Sequence, residues 1–195
     1  YIPLLTMGLM SKEKSSGTIK LLFSSPITNT QIILGKYVAM MIYSFSLIAI
    51  LLVYVVYGVF TVKDLDIPYI CSGLLGLYLL TCSYAAVGLF MSCLSSYQIA
   101  AAMGSIVLLT ILNMIGTVGQ NIPFVRNITY WLSIRGRSNQ MLQGLICSED
   151  VLYFVIVAVV FIMLAIYRLS SERKKFSRQV KYARYASVVI VAVML

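Results

Sequence analysis

Residues 37–62, YVAMMIYSFSLIAILLVYVVYGVFTV, contain no Asp, Glu, Lys or Arg. Within them, residues 48–56, IAILLVYVV, are apolar around the whole circumference of a helix. A helix buried in a soluble protein would instead show a polar face recurring about every 3.6 residues. About 20 apolar residues cross a hydrocarbon core of about 30 Å, so this stretch reads as one membrane span. Working outward, the uncharged run 67–125 is far longer than one span needs and must cross twice. Residues 151–167 are just long enough for another crossing, and residues 185–195 begin one more. The composition agrees, with 61% hydrophobic and 11% charged residues; soluble domains run near a quarter charged. The expected fold class is an all-α polytopic membrane helix bundle.

Charges and caps divide the chain further. Residues 1–9 read as the end of an earlier membrane helix, because they carry no charge and lack the basic start of a signal peptide. Both ends of the chain therefore read as cut. Residues 10–30 form a polar segment, followed by spans at about 31–62, 67–94, 97–119 and 151–168. A basic linker covers 169–184. The segments 10–36 and 168–184 hold Lys12, Lys14, Lys20, Lys36, Arg168, Arg173, Lys174, Lys175, Arg178, Lys181 and Arg184. The other side of the membrane holds only Lys63, Arg126, Arg135 and Arg137, with Asp64, Asp66, Glu149 and Asp150. Positive charge is retained inside, which makes residues 10–30 and 169–184 cytoplasmic in a bacterial inner membrane. The turn inside the long apolar run is expected at residues 92–98, its only central polar cluster. Residues 120–150 are too long and polar for a turn. With the aromatic pair Tyr130 and Trp131 they point to an interfacial or re-entrant periplasmic helix at about 138–146. Asn127-Ile-Thr129 matches a glycosylation sequon by chance.

Several chemistries are excluded. There is no histidine, so no His-dependent triad or His-ligated zinc centre exists within the chain. Cys71, Cys82 and Cys93 lie eleven residues apart, roughly 16 Å along a helix, too far to share one metal. They read as small packing residues, and Cys147 stands alone in a loop. No phosphate-binding Gly-x-x-x-x-Gly-Lys-Ser/Thr motif is present. The uncharged cores of the spans hold no Asp, Glu, Lys or Arg, which ion-driven carriers usually need to couple a gradient to movement. An intramembrane hydrolase would have Ser and Cys nucleophiles here but no base. Asn113 is the most polar residue deep in a span and is expected to bond a neighbouring helix. No cofactor and no metal site are expected.

The segment between the first two spans is the most informative. Residues 18–25 form about two helical turns ended by Pro26, which cannot continue a hydrogen-bonded helix. Ile19, Leu22 and Phe23 fall at i, i+3 and i+4, an amphipathic face. Thr28-Asn-Thr-Gln31 reads as a capping box opening the next span. Such a short helix suits either docking of a cytosolic partner or a plain interfacial connector.

Met7…Glu13-Lys14-Ser-Ser-Gly17-Thr18-Ile-Lys-Leu-Leu-Phe-Ser-Ser25-Pro26…Leu34-Gly35-Lys36 closely resembles the signature of ABC-2 type permeases. The likeness is greatest to the gliding-motility and copper-processing branch, and residues 130–153 share it. The resemblance runs through about Arg168, so residues 1–168 are expected to be an ABC-2 permease domain lacking its N-terminal part. Residues 169–195 would be a basic linker and the start of a further span, as in fusion to another module. The resemblance implies a membrane subunit of an exporter, paired with a separate cytosolic ATP-binding subunit and with a second permease subunit as a homo- or heterodimer. It implies no enzymatic activity of the chain's own. The helix near 18–25 would be the coupling helix, with Glu13, Gly17, Thr18, Ile19, Leu22, Phe23 and Pro26 at the contact with the ATPase. Glu13 would meet a basic group there. The rival is a non-transporting membrane scaffold or assembly factor on the same fold.

Gly88, Ser92, Ser96, Ala100 and Gly104 recur every four residues across the expected hairpin. Small residues at this spacing let helix backbones approach closely, within one bundle or between two permease subunits. The basic run 172–184 either binds anionic lipid, each charge contributing roughly 1 kcal/mol near the surface, or serves only as a topology signal. The net charge of +9 therefore needs no nucleic-acid partner.

Overall fold

The computed structural model describes residues 1–61, 67–114 and 148–173. All elements among these residues are helices: α1 (Ile2–Thr6), α2 (Gly8–Ser15), α3 (Ile19–Ser24), α4 (Asn29–Thr61), α5 (Ile67–Leu94), α6 (Gln98–Met114) and α7 (Ser148–Arg173). Three of them, α4, α5 and α7, are long and apolar enough to cross a membrane, and α6 is a shorter apolar helix over its described length. This is the expected all-α membrane bundle. The expected periplasmic helix at 138–146, the aromatic pair Tyr130 and Trp131, Cys147, and the linker and span after Arg173 lie outside the described residues.

The helix at the centre is α5, which touches α1, α2, α4, α6 and α7. Its second half, including Ala85, Ala86, Val87, Gly88, Leu89, Ser92 and Cys93, is buried. Small side chains make this possible, since they leave room for a neighbour on every side. By contrast, α4 buries one stripe, Ile33, Tyr37, Met40, Ser44 and Ile48, stepping three or four residues at a time. Beyond Ile48 most of its side chains lie open among the described residues: Val53, Tyr54, Tyr57 and Phe60 are exposed, Phe60 by 86%. At 33 residues, α4 is about 50 Å long, more than a membrane core requires.

Local signals set the ends. Thr28 and Gln31 make the reciprocal bonds of a capping box: Thr28 N donates to Gln31 Oε1 at 3.0 Å and Gln31 N to Thr28 Oγ1 at 3.3 Å. The turn between α5 and α6 falls at residues 95–97, where the Ser95 hydroxyl accepts from Tyr97 N at 3.1 Å. Such a local side-chain bond favours a tight turn. The last helix starts three residues before the span read from charge and continues five beyond it. Glu149 and Asp150 sit in its first turn, where the positive end of the helix dipole favours them. Leu169 and Ser171 are buried at its other end, so packing carries the helix past the apolar run.

Through ion pairs and hydrogen bonds, α2 meets the start of α4 and the ends of α5 and α7. Consequently α2, α3, the start of α4, the turn after α5 and the end of α7 gather at one end, which holds Lys12, Glu13, Lys14, Lys20, Lys36, Arg168 and Glu172. Deeper in the bundle, Tyr84 of α5 donates to Asn113 Oδ1 of α6 at 3.2 Å, and Ser83 Oγ donates to the Phe154 carbonyl of α7 at 3.1 Å. Asn113 thus bonds a neighbouring helix.

Candidate functional site

The charged end is built around α2 and α3. Gly17 separates these two helices, with φ at 75° in the left-handed region that other residues enter only with strain. Thr18 caps the turn, its hydroxyl 2.9 Å from Ser16 Oγ and 3.4 Å from the Glu13 carbonyl. The chain then forms the six residues of α3 and leaves it through extended Ser25 into Pro26. A helix this short does not hold itself together in water. Ile19, Leu22 and Phe23 hold it to the bundle, packing against a core that includes Met10, Ile32, Ile33 and Leu169. Lys20, Leu21 and Ser24 face outward, Leu21 with 70% of its surface exposed.

Glu13 and Lys14 pair in opposite directions. Glu13 Oε1 lies 2.5 Å from Lys36 Nζ of α4, and Lys36 also donates to the Leu9 carbonyl of α2. Lys14 Nζ lies 2.7 Å from Glu172 Oε1 of α7 and also donates to the Cys93 carbonyl at the end of α5. Arg168, one turn before Glu172, reaches the same carboxylate oxygen at 3.7 Å. The Lys14 side chain is only 7% exposed. An ammonium so far out of water needs the carboxylate and the negative end of the α5 dipole to offset its lost hydration.

The other end of α2 is fixed by Ser92. Its hydroxyl accepts from Met10 N at 2.9 Å and Ser11 N at 3.1 Å, and donates to the Met7 carbonyl at 2.9 Å. A side chain inserted among these backbone groups interrupts a helix, and here α1 ends and α2 begins around Met7. One turn earlier, Gly88 makes room for Thr6: a Cβ there would lie 2.7 Å from Thr6 Cβ, closer than atoms tolerate. In the rest of the row of small residues, Gly104 faces Met91, while Ser96 and Ala100 are exposed.

Of the residues expected at an ATPase contact, the structure gathers all seven at this end. Glu13 meets a basic group within the chain, Lys36, and Ile19, Leu22 and Phe23 face the bundle. The sequence does not single out Leu21 or Glu172, and it gives Lys14 and Lys36 only as charges within the family signature, without their partners. Glu172 carries a signal of its own, as the sole acidic residue among the basic residues 168–184.

The chain matches the family model of the ABC-2 family transporter protein over residues 1–173, nearly nine tenths of its length. No curated protein and no solved structure matches it. With apolar helices of spanning length packed around α5, and that match covering every described element, the chain belongs to the ABC-2 transporter family, as a permease component of ABC transport.

Proposed function

We propose that this chain is the export permease that receives the motion of a separate cytosolic ATP-binding subunit through the outer face of α3. In this reading the charged end is cytoplasmic, in the inner membrane of a bacterium, and two permease subunits work together as a dimer. The observation that carries it is the two-sidedness of α3: one face is anchored to the bundle by Ile19, Leu22 and Phe23, and the opposite face presents Leu21 beside Lys20. An exposed leucine on a short helix fixed to the membrane core is suited to fill an apolar cleft of a partner, and the flanking lysine favours an acidic rim. A push there is delivered to the core rather than lost in a loose segment.

The test is co-purification with the ATP-binding subunit. Leu21→Asp is expected to abolish association while the permease remains monodisperse in detergent, and deletion of residues 18–25 to do the same. Undiminished association of both variants would remove α3 from the contact and favour a scaffold on the same fold. The gliding-motility and copper-processing branch belongs to the proposal too; the family match extends to the family as a whole.

A further inference from the structure

We propose that the last turn of α2 is a hinged arm latched by charge over the end of α5, with Lys14 as its pin, and that the ATP-driven cycle parts the Lys14–Glu172 pair. The latch deepens the permease reading and rests on it for the force that opens the arm. The hinge lies just after Ser11, because the Ser92 hydroxyl fastens Met7, Met10 and Ser11 to α5 and leaves only the last turn of α2 free to lift. The pins lie at the far end of the same short helix, where Glu13 ties the arm to α4 and Lys14 ties it to α7. Gly17 follows within one turn and leads directly into α3. A displacement of α3 therefore acts on the arm at its pinned end, beyond the hinge.

The chemistry of the pin suits two discrete states. Lys14 is almost wholly removed from water, and among the described residues the Glu172 carboxylate and the Cys93 carbonyl satisfy it. Drawn outward, the ammonium regains hydration and loses both partners together. Intermediate positions have neither, so the contact is either made or open. Glu172 keeps Arg168 as a second partner, which leaves its carboxylate neutralised when the arm lifts. Beneath the pin lies Cys93, fully buried in the latched form. Opening the arm uncovers that residue.

Cys93 is thus a native reporter of the latch. In a background of Cys71→Ser, Cys82→Ala and Cys147→Ser it is the only thiol, and its reaction with a charged maleimide is followed on the full chain in nanodiscs. Without nucleotide or ATPase, Lys14→Met and Glu172→Gln are expected to raise the labelling rate about tenfold or more, because labelling tracks the population of the opened form. Lys14→Arg keeps the charge and is expected to stay as slow as the parent. Should Lys14→Met fail to fold, Glu172→Gln against Lys14→Arg decides the same point. Equal rates in all forms overturn the latch. With the ATP-binding subunit bound, ATP turnover is expected to accelerate labelling of the parent; an unchanged rate overturns the proposed parting. A parent permease that binds no ATPase strikes the permease reading instead, while the nucleotide-free rates still decide the latch.

Discussion

Ser92 binds three backbone groups of the α1–α2 segment with one hydroxyl, and Gly88 one turn away admits Thr6 against the same face of α5. The two residues make a seat with a polar contact beside a steric one, and the two should fail differently. Ser92→Ala removes the hydroxyl but keeps the space, at an expected loss of roughly 1 kcal/mol. Gly88→Leu keeps the hydroxyl but drives a side chain into Thr6, and overpacking of this kind costs about 1–3 kcal/mol. Melting temperatures in detergent should therefore fall more for Gly88→Leu than for Ser92→Ala. The reverse order would mean that the hydrogen bonds, not the close approach, hold the N-terminal helices. The four-residue step from Gly88 to Ser92 was legible in the sequence as one face of a single helix, but the row breaks at the turn after Leu94, beyond which Ser96 and Ala100 are exposed. The partner of Gly88 and Ser92 was not: Thr6 and Met7 lie more than 80 positions away, and periodicity along one segment carries no information about what packs against it. For the same reason the pairs Glu13–Lys36 and Lys14–Glu172 could be read only as charges near span ends.

At the scale of the element, α3 and the start of α4 depend on different forces. The first is held by three apolar side chains facing the core, so Phe23→Asp should free it and expose residues 18–25 to limited proteolysis. Leu21→Asp, on the opposite face, should leave the cleavage pattern unchanged. Equal cleavage of both variants would contradict the two-sided arrangement. The second depends on its capping box. Thr28→Ala removes the acceptor for Gln31 N, with an expected loss of about 1 kcal/mol; hydrogen exchange should show faster protection loss in the first turn of α4 and none at Tyr37. The helix, its Pro26 stop and the capping box are all short-range features, and each was legible from fewer than ten residues. Which face of α3 turns inward was not, since an amphipathic pattern names the apolar side without saying whether core or partner covers it.

For the whole molecule, the uncharged runs located α4, α5 and α7, and the α5 bounds match the sequence reading at both ends. Charge was less informative for α7, which is packed at Leu169 and Ser171 and so continues into the basic stretch. The orientation has a direct check. Lys12→Cys at the charged end and Tyr69→Cys near the start of α5 should react with a membrane-impermeant thiol reagent from opposite sides, Lys12→Cys only in inside-out vesicles. Reaction of both from one side would overturn the alternating arrangement.

The exposed half of α4 has a mechanical consequence. Among the described residues, the bundle clamps α4 along the stripe from Ile33 to Ile48, and the remaining length, about 20 Å from the rise per residue, presents mostly exposed side chains. Lys36, one turn beyond the start of that clamp, is gripped by Glu13. A small tilt imposed there would be geometrically amplified along the helix, so that Tyr57 and Phe60 would move farthest.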